Sequence, residues 1–486
     1  MDQNILIPAG VLRTTTEFLR AKWPKIVAVS AVVLVPCFWH RRLEAGDLGS
    51  HVYNAWLVQL IEHHEVSGLW IAHQHTNVLF DLLLSALAKV AGLQMAAHIV
   101  VAASVLAFFW GTFALVSAVS GRAPWNLLPL IAMVCYGWTF NMGFCNYYIA
   151  LALSFISLAI MWRGNNWERA AALGLVPLIL LAHPLGLVWL GGGALYVLVA
   201  DRVSRRYQLV AFALALMAIV AVHKYLWAHF VVLPKNHPFY LYNGTDQLVL
   251  FGPLYRVLAI AVSAIIVVAI AIDLIYGRDR KNLWRSWGVP LQLNVLVFVA
   301  VGLLPDSIQL PQYQAPLSLL SSRLTSVSAV LVCCLAGVMY PRKWHIVGLG
   351  AIAVVFFSLL YVDTGRVNRV EEQAEHLISM LPPRQRVIVT IADEPRSRLT
   401  LEHVVDSACI DHCFTYSNYE ASTGQFRVRA LPGNHIVTTE QAEMREMYYG
   451  TYRARPSDLP MYQIYVCRLN DGDEQLCIRQ LTAGSE

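Results

Sequence analysis

The sequence predicts an α-helical polytopic membrane protein with a small α/β domain at its C-terminus. Two observations carry this. Of 486 residues, 57% are hydrophobic and only 14% are charged, against roughly 25% charged in ordinary soluble proteins. The charge is also segregated. Up to Val362, apolar runs are broken only by short polar loops; beyond it Asp, Glu, Arg and Gln become frequent and the long apolar runs stop. The expected division is a membrane domain over 1–362 and a soluble domain over 363–486, an ordinary domain size. The net charge of +5 gives no reason to expect a nucleic-acid partner, because the basic residues sit in short loops where they set topology.

The apolar segments run over 24–39, 77–92, 96–119, 125–140, 143–162, 168–182, 184–200, 207–230, 253–276, 288–304, 323–340 and 344–362. A helix crossing ~30 Å of hydrocarbon needs about 20 residues, with a range of ~17–25. The expectation is about 11–13 membrane helices, several of them short enough to be half-helices or re-entrant pieces. Arg13, Arg20 and Lys22 before the first segment, with Lys25 at its start, place the N-terminus in the cytoplasm. The pairs Arg163/Arg169 and Arg342/Lys343, and the clusters Arg202/Arg205/Arg206 and Arg278/Arg280/Lys281/Arg285, read as cytoplasmic loops. The loop holding Asp47, the His183-Pro184 break, 231–250, 305–322 and the C-terminal domain then fall on the outer side of the membrane. Three apolar segments separate Asp47 from Asn141, where only an even number of crossings fits. One of them is expected to be partial.

Five of the nine cysteines (Cys37, Cys135, Cys145, Cys333, Cys334) lie in or beside apolar segments and read as packing residues. Cys409, Cys413, Cys467 and Cys477 lie in the tail. An even number on the oxidising side of a membrane suggests disulfides, with Cys467 and Cys477 flanking a predicted hairpin. Cys409, His412 and Cys413 leave a zinc site as the alternative. The rest of the tail reads as mixed α/β: a helix over 364–381 stopped by Pro382-Pro383, a strand over 387–391, a helix over 399–409 and a strand over 425–430. It serves either as a packing cap or in recognising an acceptor.

One polar stretch stands out, Gly46-Asp47-Leu48-Gly49-Ser50-His51-Val52-Tyr53-Asn54-Ala55-Trp56, directly after the first apolar segment. Asp47 reads either as a helix N-cap or as a general base acting on an acceptor hydroxyl. Behind it Val52, Trp56, Leu60 and Ile61 share one helical face. This predicts a helix lying flat at the membrane interface, with Trp56 and Trp70 as anchors.

A first span, a loop opening with an Asp, an amphipathic helix, further spans of uneven length and a soluble C-terminal domain together resemble the GT-C superfamily of membrane glycosyltransferases. Phe140-Asn141-Met142-Gly143-Phe144-Cys145-Asn146-Tyr147, His183-Pro184-Leu185-Gly186 and Arg323 are similar to pieces of its bacterial members. The resemblance covers roughly 26–362. It implies a GT-C-like fold, a polyprenyl-phosphate-linked sugar donor, an acceptor that is a glycan, lipid or protein, and Asp47 as catalytic base. Metal-dependent members often carry a second acid beside the loop Asp; here Leu48 and Gly49 follow, so neither metal nor cofactor is expected. Arg323 and Lys235 are candidate contacts to the donor phosphate. His51, His73, His75, Asn141, Asn146 and His183 are candidate substrate contacts, each with another reading beside it: wet-surface polarity for His51, His73 and His75, or a metal site on the His73-Gln74-His75 spacing completed by Asp47 or His51; capping for the asparagines; core packing for His183. The competing function is a polytopic transporter or flippase for a lipid-linked or polar solute. Charges within predicted spans are few (Asp81, Lys89, Lys224, Asp273), and no internal repeat is evident.

Overall fold

The computed structural model describes residues 11–234, 243–276, 280–313, 315–391, 399, 401, 403–468 and 474–484. The first part of the chain holds α1 (Val11–Leu34), α2 (Leu48–Glu62), β1 (Leu69–Ile71), α3 (Leu79–Ala91), α4 (Leu93–Ser120), α5 (Leu128–Cys135), α6 (Trp138–Asn141) and α7 (Cys145–Arg163). Next come α8 (Asn166–Ala172), α9 (Val176–Ala182), α10 (Pro184–Arg202), α11 (Arg205–His229), β2 (Val231–Leu233), α12 (Pro253–Tyr276), α13 (Arg280–Leu303), β3 (Ser307–Gln309), α14 (Leu320–Val338) and α15 (Lys343–Ser379). The tail adds β4 (Arg386–Thr390), α16 (Val404–Ala408), β5 (Phe414–Thr415), α17 (Tyr419–Thr423), β6 (Val428–Ala430), α18 (Gln441–Tyr449), β7 (Met461–Arg468) and β8 (Glu474–Gln480).

Among the described residues seven helices are long and apolar enough to cross a membrane: α4, α7, α10, α11, α12, α14 and α15. This is fewer than the 11–13 expected; α1, α3, α13 and the segments 125–140 and 168–182 fall outside this set. α3 has 13 residues, about 20 Å of helix, well short of the ~30 Å hydrocarbon core. The segment 125–140 breaks between α5 and α6, and the segment 168–182 breaks between α8 and α9. Local chemistry marks these boundaries. Gly121, at φ 73°, closes α4, a backbone geometry that favours glycine. Asn165 and Glu168 form a reciprocal capping box on α8. His183 caps α10, with Pro184 at its first position. At the bundle centre α4 packs on α7, where Phe108 stacks on Tyr148 at 4.4 Å. Gly111 lies against the Ala152 carbonyl, which a Cβ would approach to 2.8 Å.

The expected boundary at 362/363 falls inside one continuous helix. α15 has 37 residues, about 55 Å long, and runs without a linker from the apolar bundle into the tail. There the four-stranded sheet has the order β5-β4-β7-β8, with β4 parallel to β5 and β7, and β8 antiparallel to β7. Disulfides join Cys409 to Cys413 and Cys467 to Cys477. The first consumes both thiols of the alternative zinc set; the second is the pairing expected across the hairpin.

α2 departs from expectation. It does not lie free at a lipid interface. Its Leu48, Val52 and Ala55 belong to the core of the helix bundle. Its Tyr53, Trp56, Leu57 and Val58 belong to the core of the tail, with Ala374 and Ile378 of α15 and Val387, Val389 and Ile464 of the sheet. Trp56, only 6% exposed, stacks on Phe414 at 5.8 Å. Trp70, on β1, sits under the Arg429 guanidinium. The amphipathic pattern was real, but its second face is covered by protein. β1 pairs antiparallel with β6, and Arg42 makes ion pairs with Glu371 and Glu375 of α15. The first loop and the tail are therefore one unit. Trp56→Ala should destabilise the protein by about 3–5 kcal/mol, the usual loss for a buried Trp. Thermal unfolding in detergent checks this, and a parental melting temperature would contradict α2 as a shared core layer.

Candidate functional site

Three glycines explain how Asp47 is placed. Gly46, at φ +26°, lies against the Met142 carbonyl, where a Cβ would come within 2.4 Å. Gly143, at φ +73°, lies against the Ala45 carbonyl and the Asp47 amide, both 2.5 Å from a built Cβ. Gly49 lies against the His403 carbonyl, 2.4 Å from its own built Cβ. The 142–143 turn thus closes on Asp47 from one side and the tail closes from the other. The Asp47 amide donates to the Met142 carbonyl at 3.0 Å. Asp47 occupies the N-cap position of α2, yet its side chain makes no capping hydrogen bond. Its carboxylate faces a cavity of about 720 Å³ between bundle and tail, within the size range of small-molecule sites.

His51, one turn along α2, is buried under this cavity. Its Nδ1 lies 2.7 Å from Asp81 Oδ1 and 3.8 Å from Glu420 Oε1. Asn146 donates to the second Asp81 oxygen at 2.8 Å and accepts from the Phe80 amide at 2.7 Å. Ser50 donates to Glu420 at 3.0 Å, and Asn54 exchanges hydrogen bonds with Asn418. Burial alone would lower the His51 pKa; Asp81 above all, then Glu420 and Asp47, outweigh it and raise it to about 9. Burial raises Glu420 to about 7, with His51 opposing. Asp81 is thus not a charge within a span but the counter-ion of His51, and Lys89 pairs with Glu62 at 2.8 Å.

Arg323, on the first turn of α14, also lines the cavity. Its guanidinium lies 4.1 Å over the Phe144 ring, and its buried Nε has no hydrogen-bond partner. Its Nη1 is 3.4 Å from His183 Nε2. The Leu185 amide donates to His183 Nδ1 at 3.1 Å, so Nδ1 carries no proton and the neutral ring carries it on Nε2. Two N–H groups therefore face each other, and both call for an acceptor.

His51, Asn146, His183 and Arg323 all line the Asp47 cavity. Other expected residues do not. His73 and His75 are exposed, while the intervening Gln74 lines the cavity; in an extended segment alternate side chains point opposite ways. Asn141 ends α6 instead of starting a helix, and its amide is spent on the Tyr136 and Gly137 carbonyls. Lys235 lies outside the described residues. Sequence reasoning missed Glu420, Tyr419 and His403 from the tail, and Asp81 as a site residue. His403 Nε2 lies 3.7 Å from Asp47 Oδ1, and its Nδ1 lies 2.8 Å from Asp406 Oδ2. Only the spacing of Gly46 and Gly49 around Asp47 hinted that another backbone would pack there. Among the described residues no group of three or more His, Cys, Asp or Glu is arranged to hold a metal ion.

No protein-family model, curated protein or solved structure matches this chain. The site itself brings the Asp47 carboxylate and the Arg323–His183 pair of N–H groups to one cavity.

Gly49→Ala should displace the tail from Asp47, because a methyl cannot fit against the His403 carbonyl. The expected outcome is a folded bundle with a loosened tail, read as faster proteolysis after 380; parental resistance would overturn the contact. A second expectation concerns pH. The folded pKa of His51 is raised above its unfolded value, so its stabilisation is complete below about 6.5 and is lost as pH rises through about 9. Melting temperature should fall across that window, and His51→Gln should flatten the fall. An unchanged slope in the variant would contradict the pairing with Asp81.

Proposed function

We propose that this chain is a membrane glycosyltransferase of the GT-C type. It transfers a sugar from a polyprenyl-phosphate donor to a hydroxyl on a glycan, lipid or protein at the extracytoplasmic face of the inner membrane, with Asp47 as general base. One observation carries the reading. Asp47 and the Arg323–His183 donor pair face one cavity where the apolar helices meet a folded tail. Such a site suits a substrate with a lipid tail and a charged head. An Arg at the end of a span is costly unless it has a partner or a task, and its fork suits a phosphate better than a point charge would.

In this reading Asp47 takes the acceptor hydroxyl proton as the oxygen attacks the anomeric carbon. The carbon–oxygen bond to phosphate breaks on the opposite face, and the polyprenyl phosphate leaves with the electron pair. Configuration inverts. Arg323 and His183 Nε2–H stabilise the charge growing on the leaving phosphate.

The test is transfer of label from radiolabelled polyprenyl-phosphate hexoses in membranes of expressing cells. Asp47→Asn should lower transfer by about 10²–10⁴, the usual contribution of a general base. Arg323→Lys should weaken donor use while leaving acceptor dependence unchanged. Parental transfer by the Asp47→Asn protein would sink the assignment.

A further inference from the structure

The tail brings one ionisable side chain directly to Asp47. His403 precedes α16 and is buried, and so is Asp406 one turn later. The His403 carbonyl sits on Gly49, the position where a Cβ cannot fit. Its ring packs against Tyr419 at 5.2 Å, and both side chains line the cavity. Nδ1 donates to Asp406 Oδ2 at 2.8 Å, which leaves Nε2 directed at Asp47 Oδ1, 3.7 Å away. From this juxtaposition we infer that His403 is the positioning residue for Asp47: an imidazolium held between Asp406 and Asp47 that keeps the base ionised and aimed into the cavity.

Charge favours the imidazolium. Asp47 faces the ring from the start of α2, Asp406 from its own helix, and Glu420 and Tyr419 from α17. His51 and Arg323 act on Asp47 from farther out. Asp406 Oδ1 is buried without a hydrogen-bond partner; a buried carboxylate left half-satisfied needs a cation beside it. The 3.7 Å separation also fits the task. It is too long for a hydrogen bond, so the histidine acts on Asp47 through its charge and leaves the carboxylate lone pairs open to an acceptor hydroxyl.

This inference rests on Asp47 being the base, and two measurements separate the two ideas. The first needs no substrate. In the full-length protein carrying 13Cε1-labelled histidine, the His403 signal is identified by its loss in His403→Gln. Its titration midpoint should fall by about one pH unit or more in Asp47→Asn. An unmoved midpoint overturns the coupling. The second is the acid limb of transfer from radiolabelled polyprenyl-phosphate hexoses. His403→Gln should shift that limb upward by about one pH unit or more, and His403→Arg, which keeps the charge, should return it toward the parent. A uniform loss of rate in His403→Gln with a parental limb makes the residue structural and overturns the inference, even with Asp47→Asn inactive. If Asp47→Asn keeps full transfer, it is the assignment of the base that falls.

Discussion

The close approach of two backbones to either side of Asp47 is the constraint on which the rest of the structure depends. Gly46 and Gly143 let the 142–143 turn reach the Asp47 amide, and Gly49 lets the tail reach the first turn of α2. Neither approach leaves room for a Cβ, so two otherwise separate parts meet at one acid. α2 is then clamped as a layer common to the bundle and the tail. Its apolar residues divide between the two cores. The long α15 fixes the tail from the opposite side, since it begins in the apolar bundle and ends under the sheet.

A helix buried on both faces must also satisfy its polar groups, because each one left unpaired costs more than a hydrogen bond returns. α2 meets this with partners from distant parts of the chain. Tyr53 accepts from the Thr415 amide, Ser50 donates to Glu420, Asn54 and Asn418 exchange donors, and His51 takes Asp81. These pairs have fixed geometry, so they select one seating of the tail where apolar contact alone would tolerate several. They also concentrate charge. His51 lies between Asp81 and Glu420, and the burial that raises Glu420 is offset in part by that imidazole. The floor of the cavity therefore carries the His51–Asp81 pair with the Glu420 carboxyl beside it, while Asp47 keeps its side chain out of any cap.

Legibility in the sequence followed the range of the interactions. Apolar runs, their interruptions and the change in composition near Val362 are local, and they identified the helical membrane domain and the α/β tail. The Cys467–Cys477 pair was readable because it closes a hairpin. Asp47 was conspicuous because it is a lone acid in a glycine-flanked stretch. The errors came where the answer lay hundreds of residues away. The amphipathic face of α2 is the same whether lipid or the tail covers it, so the sequence makes Trp56 look like an anchor where the fold makes it core. Asp81 looked like a charge within a span because its partner, His51, lies on another helix. His73 and His75 drew attention as a pair, yet the extended segment sends both outward and turns Gln74 to the cavity. His403 and Asp406 have no local signature at all. They become a site only when the tail folds back on Gly49.

The Arg323–His183 contact illustrates how hydrogen-bond accounting can point to chemistry. An imidazole beside a guanidinium would normally turn its lone pair toward the cation. Here the Leu185 amide, the first free donor of α10, already occupies Nδ1. The helix start thereby dictates the tautomer, and the proton is left on the nitrogen that faces Arg323. The Phe144 ring accepts part of the guanidinium's charge from one face, but a ring supplies no in-plane acceptor, and Nε remains without a partner. The arrangement is unfavourable for the protein alone and favourable with an anion between the two donors. Such strain persists where the surrounding structure holds it in place, and α10, α14 and the 142–147 segment do so here. The same segment carries the turn that packs on Asp47. One stretch of chain thus sets the position of the acid and of the donor pair together, so their separation across the cavity is determined by packed backbone and not by mobile side chains. That is the condition the proposed displacement would place on its base and its leaving-group site.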